Sequence, residues 1–198
     1  MRLKLLRPSF IVAFVALALL AGPAFAAGSA FSPGKVVGLP LIGGDDRPLG
    51  DIDDVLIGYN GKITDFVINL TGGDREGQRV RVPWADVTIE RDPLQVKLSN
   101  ADQSYTRYPG RPRGTLGDIN GALITMILGA PAKTRFGEHV GEVVSLGATA
   151  DGQIVDVVLS KGGSQVPLPW DFVEIRPEKS TFPAGRNVEA VVVVDRPH

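Results

Sequence analysis

The sequence predicts an all-β protein in which one hairpin-rich unit is written twice, and three observations predict it. Runs rich in Val, Ile and Leu are short and alternating, and Gly, Asn, Asp or Pro separates them. A shift of 91 positions aligns residues 38–68 with 129–159 without a gap. The two tryptophans, Trp84 and Trp170, each follow a proline and open an alternating run, VPWADVTI and LPWDFVEI.

The shift brings Gly38 onto Gly129, Pro40 onto Pro131, and LGDI (49–52) onto VGEV (140–143). Gly61 then meets Gly152, Ile63 meets Ile154, and Asp65 meets Asp156. The first copy carries extra residues around Thr71–Arg79, so the tryptophans align at a shift of 86. Within each copy, Asn60-Gly61 and Asp151-Gly152 separate two β-branched runs, as the positive-φ positions of a type I′ hairpin turn would. Pro83 and Pro169 lack the N–H of a ladder bond and belong at a strand end or sheet edge. Val188–Val194 reads as one more strand of the second copy.

Residues 1–26 have the layout of a secretory signal peptide. Arg2, Lys4 and Arg7 precede an apolar run over 10–20, and Ala24-Phe25-Ala26 offers a cleavage point after Ala26 or Ala27. An uncleaved anchor competes, but the run is shorter than the ~20 residues a spanning helix needs. Either way the rest of the chain is expected to be exported, to the periplasm for a bacterial leader. The chain has no cysteine, so the fold must stand on its hydrophobic core. Beyond the leader, 18 basic residues face 22 acidic ones, a net charge of −4. Such a balance is a poor match for nucleic acid or anionic lipid.

The expected domains are 33–100 and 127–198, the second including the C-terminal strand. Between them, 101–126 is a linker, and residues 118–128, running from it into the second domain, form a short helix or a strand, periodicity not deciding which. Its Tyr105, Arg107, Tyr108, Arg111 and Arg113 mix aromatic and basic groups. They are read as a solvated linker or as a docking site for an acidic protein partner.

Catalytic signals are sparse. His139 and His198 are the only histidines, and there is no Gly-x-Ser-x-Gly elbow around Ser145, Ser160 or Ser164. No metal or cofactor motif is expected: Asp45, Asp46, Asp51, Asp53 and Asp54 lack the spacing of a calcium loop and read as solvated charges. Asp65 and Asp156 read as structural carboxylates accepting backbone N–H bonds.

The pieces LGDIDDVL (49–56), Gly61 and VPW (82–84), matched by VGEV (140–143), Gly152 and LPW (168–170), resemble the PRC-barrel family. Ser145 departs from it where the first copy has Asp54. The resemblance covers roughly 35–100 and 127–178. It implies two small, strongly bent β-barrels, with Gly50 and Gly141 at the bends and Trp84 and Trp170 covering each barrel. It also implies a non-catalytic protein-docking role, since the family serves mainly as a docking module. The alternative is a small-ligand or polysaccharide binder using a groove between the barrels, with a tryptophan stacking on the ligand; a hydrolase built on His139 comes third. An intramolecular pairing of the two barrels about a pseudo-twofold axis is a further expectation.

Overall fold

The computed structural model describes residues 30–91, 93–99, 107–110, 120–177 and 188–192. The expected signal peptide, Tyr105, Arg111, Arg113 and His198 lie outside the described residues.

The alternating runs form two β-sheets. In the first, β1 (Pro40–Ile42), β2 (Pro48–Ile57), β3 (Ile63–Leu70), β4 (Arg79–Pro83), β5 (Val87–Arg91) and β6 (Leu94–Leu98) take the order β4-β3-β2-β1-β6-β5. A two-residue strand, β7 (Ala122–Leu123), adds to β2. The second holds β8 (Pro131–Thr134), β9 (His139–Ala148), β10 (Ile154–Lys161), β11 (Ser164–Pro169), β12 (Val173–Pro177) and β13 (Val188–Val192). Its order, β11-β10-β9-β8-β13-β12, repeats that of the first sheet strand for strand. In each, one parallel pair, β1 with β6 or β8 with β13, brings the chain back beside its first strand.

The long strands β2 and β9 bend. Register shifts interrupt β2 against both neighbours, between Leu41 and Ile42 on one side and Ile52 and Asp54 on the other. Comparable shifts interrupt β9. Such bulges increase the local twist and let a strand turn sharply. Gly50 and Gly141 lie hard against the neighbouring strand: a Cβ on Gly50 would lie 2.9 Å from the Leu70 Cα, and one on Gly141 2.5 Å from the Ser160 carbonyl. A side chain at either position would force the neighbouring strand away.

The β2–β3 and β9–β10 turns differ from the type I′ expectation. Gly58 N–H donates to the Lys62 carbonyl at 2.9 Å, and Gly61 N–H to the Gly58 carbonyl at 2.8 Å. Thr149, Gln153 and Gly152 repeat both bonds at 2.8 and 3.0 Å. Only the glycine has positive φ, 78° at Gly61 and 84° at Gly152, while Asn60 and Asp151 do not. The loop is therefore one residue longer, a type I turn closed by a left-handed glycine. Asn60 Oδ1 accepts the Lys62 N–H at 3.1 Å, which holds the asparagine in this turn.

Pro83 and Pro169 end β4 and β11, the outermost strands in the two strand orders. Each delivers the chain at φ near −57° into a single 3-10 turn, Trp84–Asp86 or Trp170–Phe172.

One apolar cluster runs through both sheets. It joins Ile52, Phe66, Ile68 and Val96 of the first to Val143, Leu146, Ile154 and Val157 of the second. Full burial of Phe66 alone contributes about 1.5–3 kcal/mol. The segment before β8 is not a free connection. After β7 comes one helical turn, α1 (Ile124–Ile127), whose Ile124 and Ile127 are fully buried.

Candidate functional site

The residues that the sequence singles out converge where the two sheets meet. The β2–β3 and β9–β10 hairpin ends face each other. Ile63 N–H donates to the Gly152 carbonyl at 2.9 Å, and Ile154 N–H donates to the Gly61 carbonyl at 2.8 Å. Lys62 and Gln153 form an antiparallel bridge between these two bonds. Each tryptophan then reaches over the turn of the other sheet. A Cβ on Gly152 would lie 2.8 Å from Cε2 of Trp84, and one on Gly61 would lie 2.5 Å from Cε2 of Trp170. So the turn glycines serve twice, supplying the positive φ and leaving room for an indole.

Two further segments cross the same joint. Phe31, ahead of the first sheet, bridges to Ala148 at the end of β9 in the second, with Ala148 N–H donating to its carbonyl at 2.8 Å. Ala122, ahead of the second sheet, pairs with Ile57 at the end of β2 in the first. Phe31 also stacks on Trp84, with centroids 5.8 Å apart and planes 6° apart. Phe66 stacks on the same indole at 5.6 Å.

These rings bear on the ligand-binding alternative. A cavity of about 280 Å³ lies beside Phe31, Trp84, Val87, Ile89, Arg91 and Ala150. The indole on its wall is already engaged by two aromatic neighbours and by the Gly152 turn, so little of its face is left for a sugar or other flat ligand.

Two carboxylates among the described residues are buried, and the first, Asp54, corrects the reading of solvated acids. Asp54 is buried on β2, although Asp51 on the same strand is exposed. Its Oδ1 accepts the N–H groups of Val55 at 2.8 Å and Thr125 at 3.2 Å, and its Oδ2 accepts the Thr125 hydroxyl. Burial pushes its pKa up despite these bonds. At the matching point of the second sheet, Ser145 faces Ser32 of the leading segment, Oγ to Oγ at 3.4 Å. The residue that departs from the family pattern thus still meets a crossing segment.

Asp65 and Asp156 are aligned in sequence but not in chemistry. Asp65 pairs with Arg81 at 2.6 Å. Pro167 stands where the second sheet would need that arginine, and Asp156 folds inward against Gly147 instead. A Cβ at 147 would lie 2.5 Å from its Oδ2, so only glycine leaves the carboxylate this space. A hydrogen bond from the Gly147 backbone lowers its pKa, burial raises it more, and Oδ2 has no hydrogen-bond partner.

The two linker candidates among the described residues part company. Arg107 is exposed, but Tyr108 is only 5 % exposed and is no surface contact. Its hydroxyl donates to Asp86 Oδ2 at 2.9 Å, and its carbonyl accepts Arg75 Nη2 at 2.8 Å. Burial, then the Asp86 carboxylate, push the phenol up to about 12. Arg75 belongs to the extra residues between β3 and β4, so that insertion clasps the linker. Its role is invisible from composition, because Pro and Gly around a tyrosine read as a free connection.

His139 is exposed at the start of β9, where its carbonyl accepts Lys161 Nζ at 3.2 Å. Among the described residues, no three His, Cys, Asp or Glu side chains are grouped to hold a metal.

Sequence reasoning missed Phe136. It is 81 % exposed on the β8–β9 turn, and its backbone is fixed. Thr134 N–H donates to the Glu138 carbonyl at 2.8 Å, and Gly137 N–H to the Thr134 carbonyl at 2.9 Å. Thr134 Oγ1 accepts the N–H groups of Phe136 and Glu138 at 3.3 and 3.2 Å. The Arg135 guanidinium sits 5.4 Å from the ring centroid. The aligned turn, Gly43–Arg47, has the same closing bonds but carries Asp45 and Asp46 instead. That contrast between aligned turns was the available signal.

Residues 29–103 match the model of the PRC-barrel domain. The all-β architecture of the chain is consistent with that fold. No curated protein matches the chain.

Proposed function

We propose that this chain is a non-catalytic docking protein of the bacterial cell envelope, exported by the signal peptide over residues 1–26. Its body is two PRC-barrel-like units, the second over residues 127–198, that arose by duplication of one sequence. The shared strand order and the 91-residue shift in register, Leu41 opposite Gly50 and Ala132 opposite Gly141, support the duplication. Its partner is an envelope or membrane-complex protein.

The observation that carries the docking role is Phe136. An aromatic ring held in water by an ordered turn forgoes about 1.5–3 kcal/mol of burial that a partner would recover. Aromatic and arginine side chains together are the usual anchors of protein interfaces, and Arg135 lies against the ring. Arg107, with Arg111 and Arg113, supplies a second, basic contact for the same partner.

The test places a photo-crosslinking phenylalanine analogue at position 136, and in parallel at exposed Asp45, in living cells. A discrete adduct with an envelope protein from position 136, weakened by Arg107→Ala, Arg111→Ala and Arg113→Ala together, is the expected result. No adduct from position 136, or the same adducts from both positions, overturns the reading.

A further inference from the structure

The backbone pairings and the indole contacts across the joint come in reciprocal sets. Phe31 with Ala148 corresponds to Ala122 with Ile57 after a shift of 91, and Ile63 with Gly152 corresponds to Ile154 with Gly61. Trp84 over Gly152 corresponds to Trp170 over Gly61. Each contact joins one sheet to the other. None requires that both sheets belong to the same chain; that is decided only by the connection over residues 100–120. The segment leading into each sheet lies on its neighbour, so each unit has handed over an arm and received one. Isologous interfaces of this kind are self-complementary, and exchange of an identical element is a low-cost route to dimers.

We infer that the joint accepts a second copy of this chain: the first sheet of one copy closes on the second sheet of the other, and the reverse, giving a closed two-chain assembly with two identical joints. Nothing new has to form, because the partner brings the same hairpin ends, indoles and arms. The connection alone sets the balance. At its natural length, closure within one chain wins through high effective concentration. A connection too short to span the joint leaves two chains to satisfy each other. The partner is thus another copy of this chain, recognised by backbone pairing and buried aromatics rather than by charge.

The chain contains no cysteine, which makes the test clean. Lys62 and Gln153 form a non-hydrogen-bonded antiparallel pair, flanked by the Ile63–Gly152 and Ile154–Gly61 bonds. Their Cα atoms are expected about 4.5 Å apart, within the range a disulfide spans. Lys62→Cys with Gln153→Cys is made in two backgrounds, the natural chain and a chain lacking residues 101–118. On oxidation, the natural background should give an intrachain bridge and a monomer on a non-reducing gel. The shortened background should give a covalent dimer, and light scattering under reducing conditions should still show two chains. A shortened chain that is folded and monomeric, or a dimer that forms no bridge between its chains on oxidation, overturns the inference. Should the shortened chain fail to fold, a protease site placed in the full-length connection decides. After cleavage the two fragments are expected to co-elute; their separation in native buffer overturns the inference.

Discussion

At Gly61 and Gly152, two demands fall on one atom that is absent. Each has positive φ, where a Cβ costs about 1–2 kcal/mol. Each also lies under the indole of the other sheet, which a methyl group would displace. Gly152→Ala is therefore expected to destabilise the fold by about 2 kcal/mol or more, read as a lowered urea midpoint. It should also change the Trp84 fluorescence, which a turn defect alone would not do. Asp156 gives a pH-dependent counterpart. Burial raises its folded-state pKa, so the fold prefers the neutral acid. That contribution is whole below the unfolded value of 3.8 and is lost as pH rises through the folded value. Asp156→Asn should accordingly gain thermal stability relative to the natural chain as pH rises from about 3.5 to about 7. A difference that stays flat across this range would mean that the carboxylate ionises freely.

Elements were legible where local chemistry specifies them. The strands, the proline ends of β4 and β11, and the glycine bends follow from alternation and from residues with few backbone options. What stayed hidden depends on partners distant in the chain. Asp54 reads as one of several surface acids until Thr125, in the segment ahead of β8, is seen to donate to both its oxygens. Thr125→Val keeps the shape and removes one donor from a buried carboxylate, so a loss of about 1–3 kcal/mol is expected in urea unfolding. The clasp on the linker behaves likewise. Tyr108 looks like part of a basic, aromatic linker, yet its hydroxyl is held by Asp86 and its carbonyl by Arg75. Tyr108→Phe should cost about 1 kcal/mol, and faster hydrogen exchange should be confined to residues 107–110 and the β3–β4 loop. Phe136 was missed for a different reason. Periodicity locates apolar residues that belong to a face, and a lone aromatic on a turn belongs to none.

For the whole molecule, the arms, hairpin ends and indoles make the two sheets a single packed body with one continuous core. The expectation that each tryptophan covers its own barrel holds only in part. Trp84 does stack on Phe66 of its own sheet, but both indoles also lie over turns of the opposite one. No periodicity within a copy encodes a contact between copies, which is why the joint could not be read from either alone. The two tryptophans follow strands of different sheets, so the unity of the body is open to direct measurement. Trp84→Phe leaves Trp170 as the only indole, and Trp170→Phe leaves Trp84. Each variant is unfolded in urea and followed by tryptophan fluorescence and by far-ultraviolet circular dichroism. Within each variant the two signals should fall together in one transition, as two-state unfolding of one body demands. Fluorescence that changes at one urea concentration while half of the β signal survives to another would show two independent domains, and would contradict the joint described here.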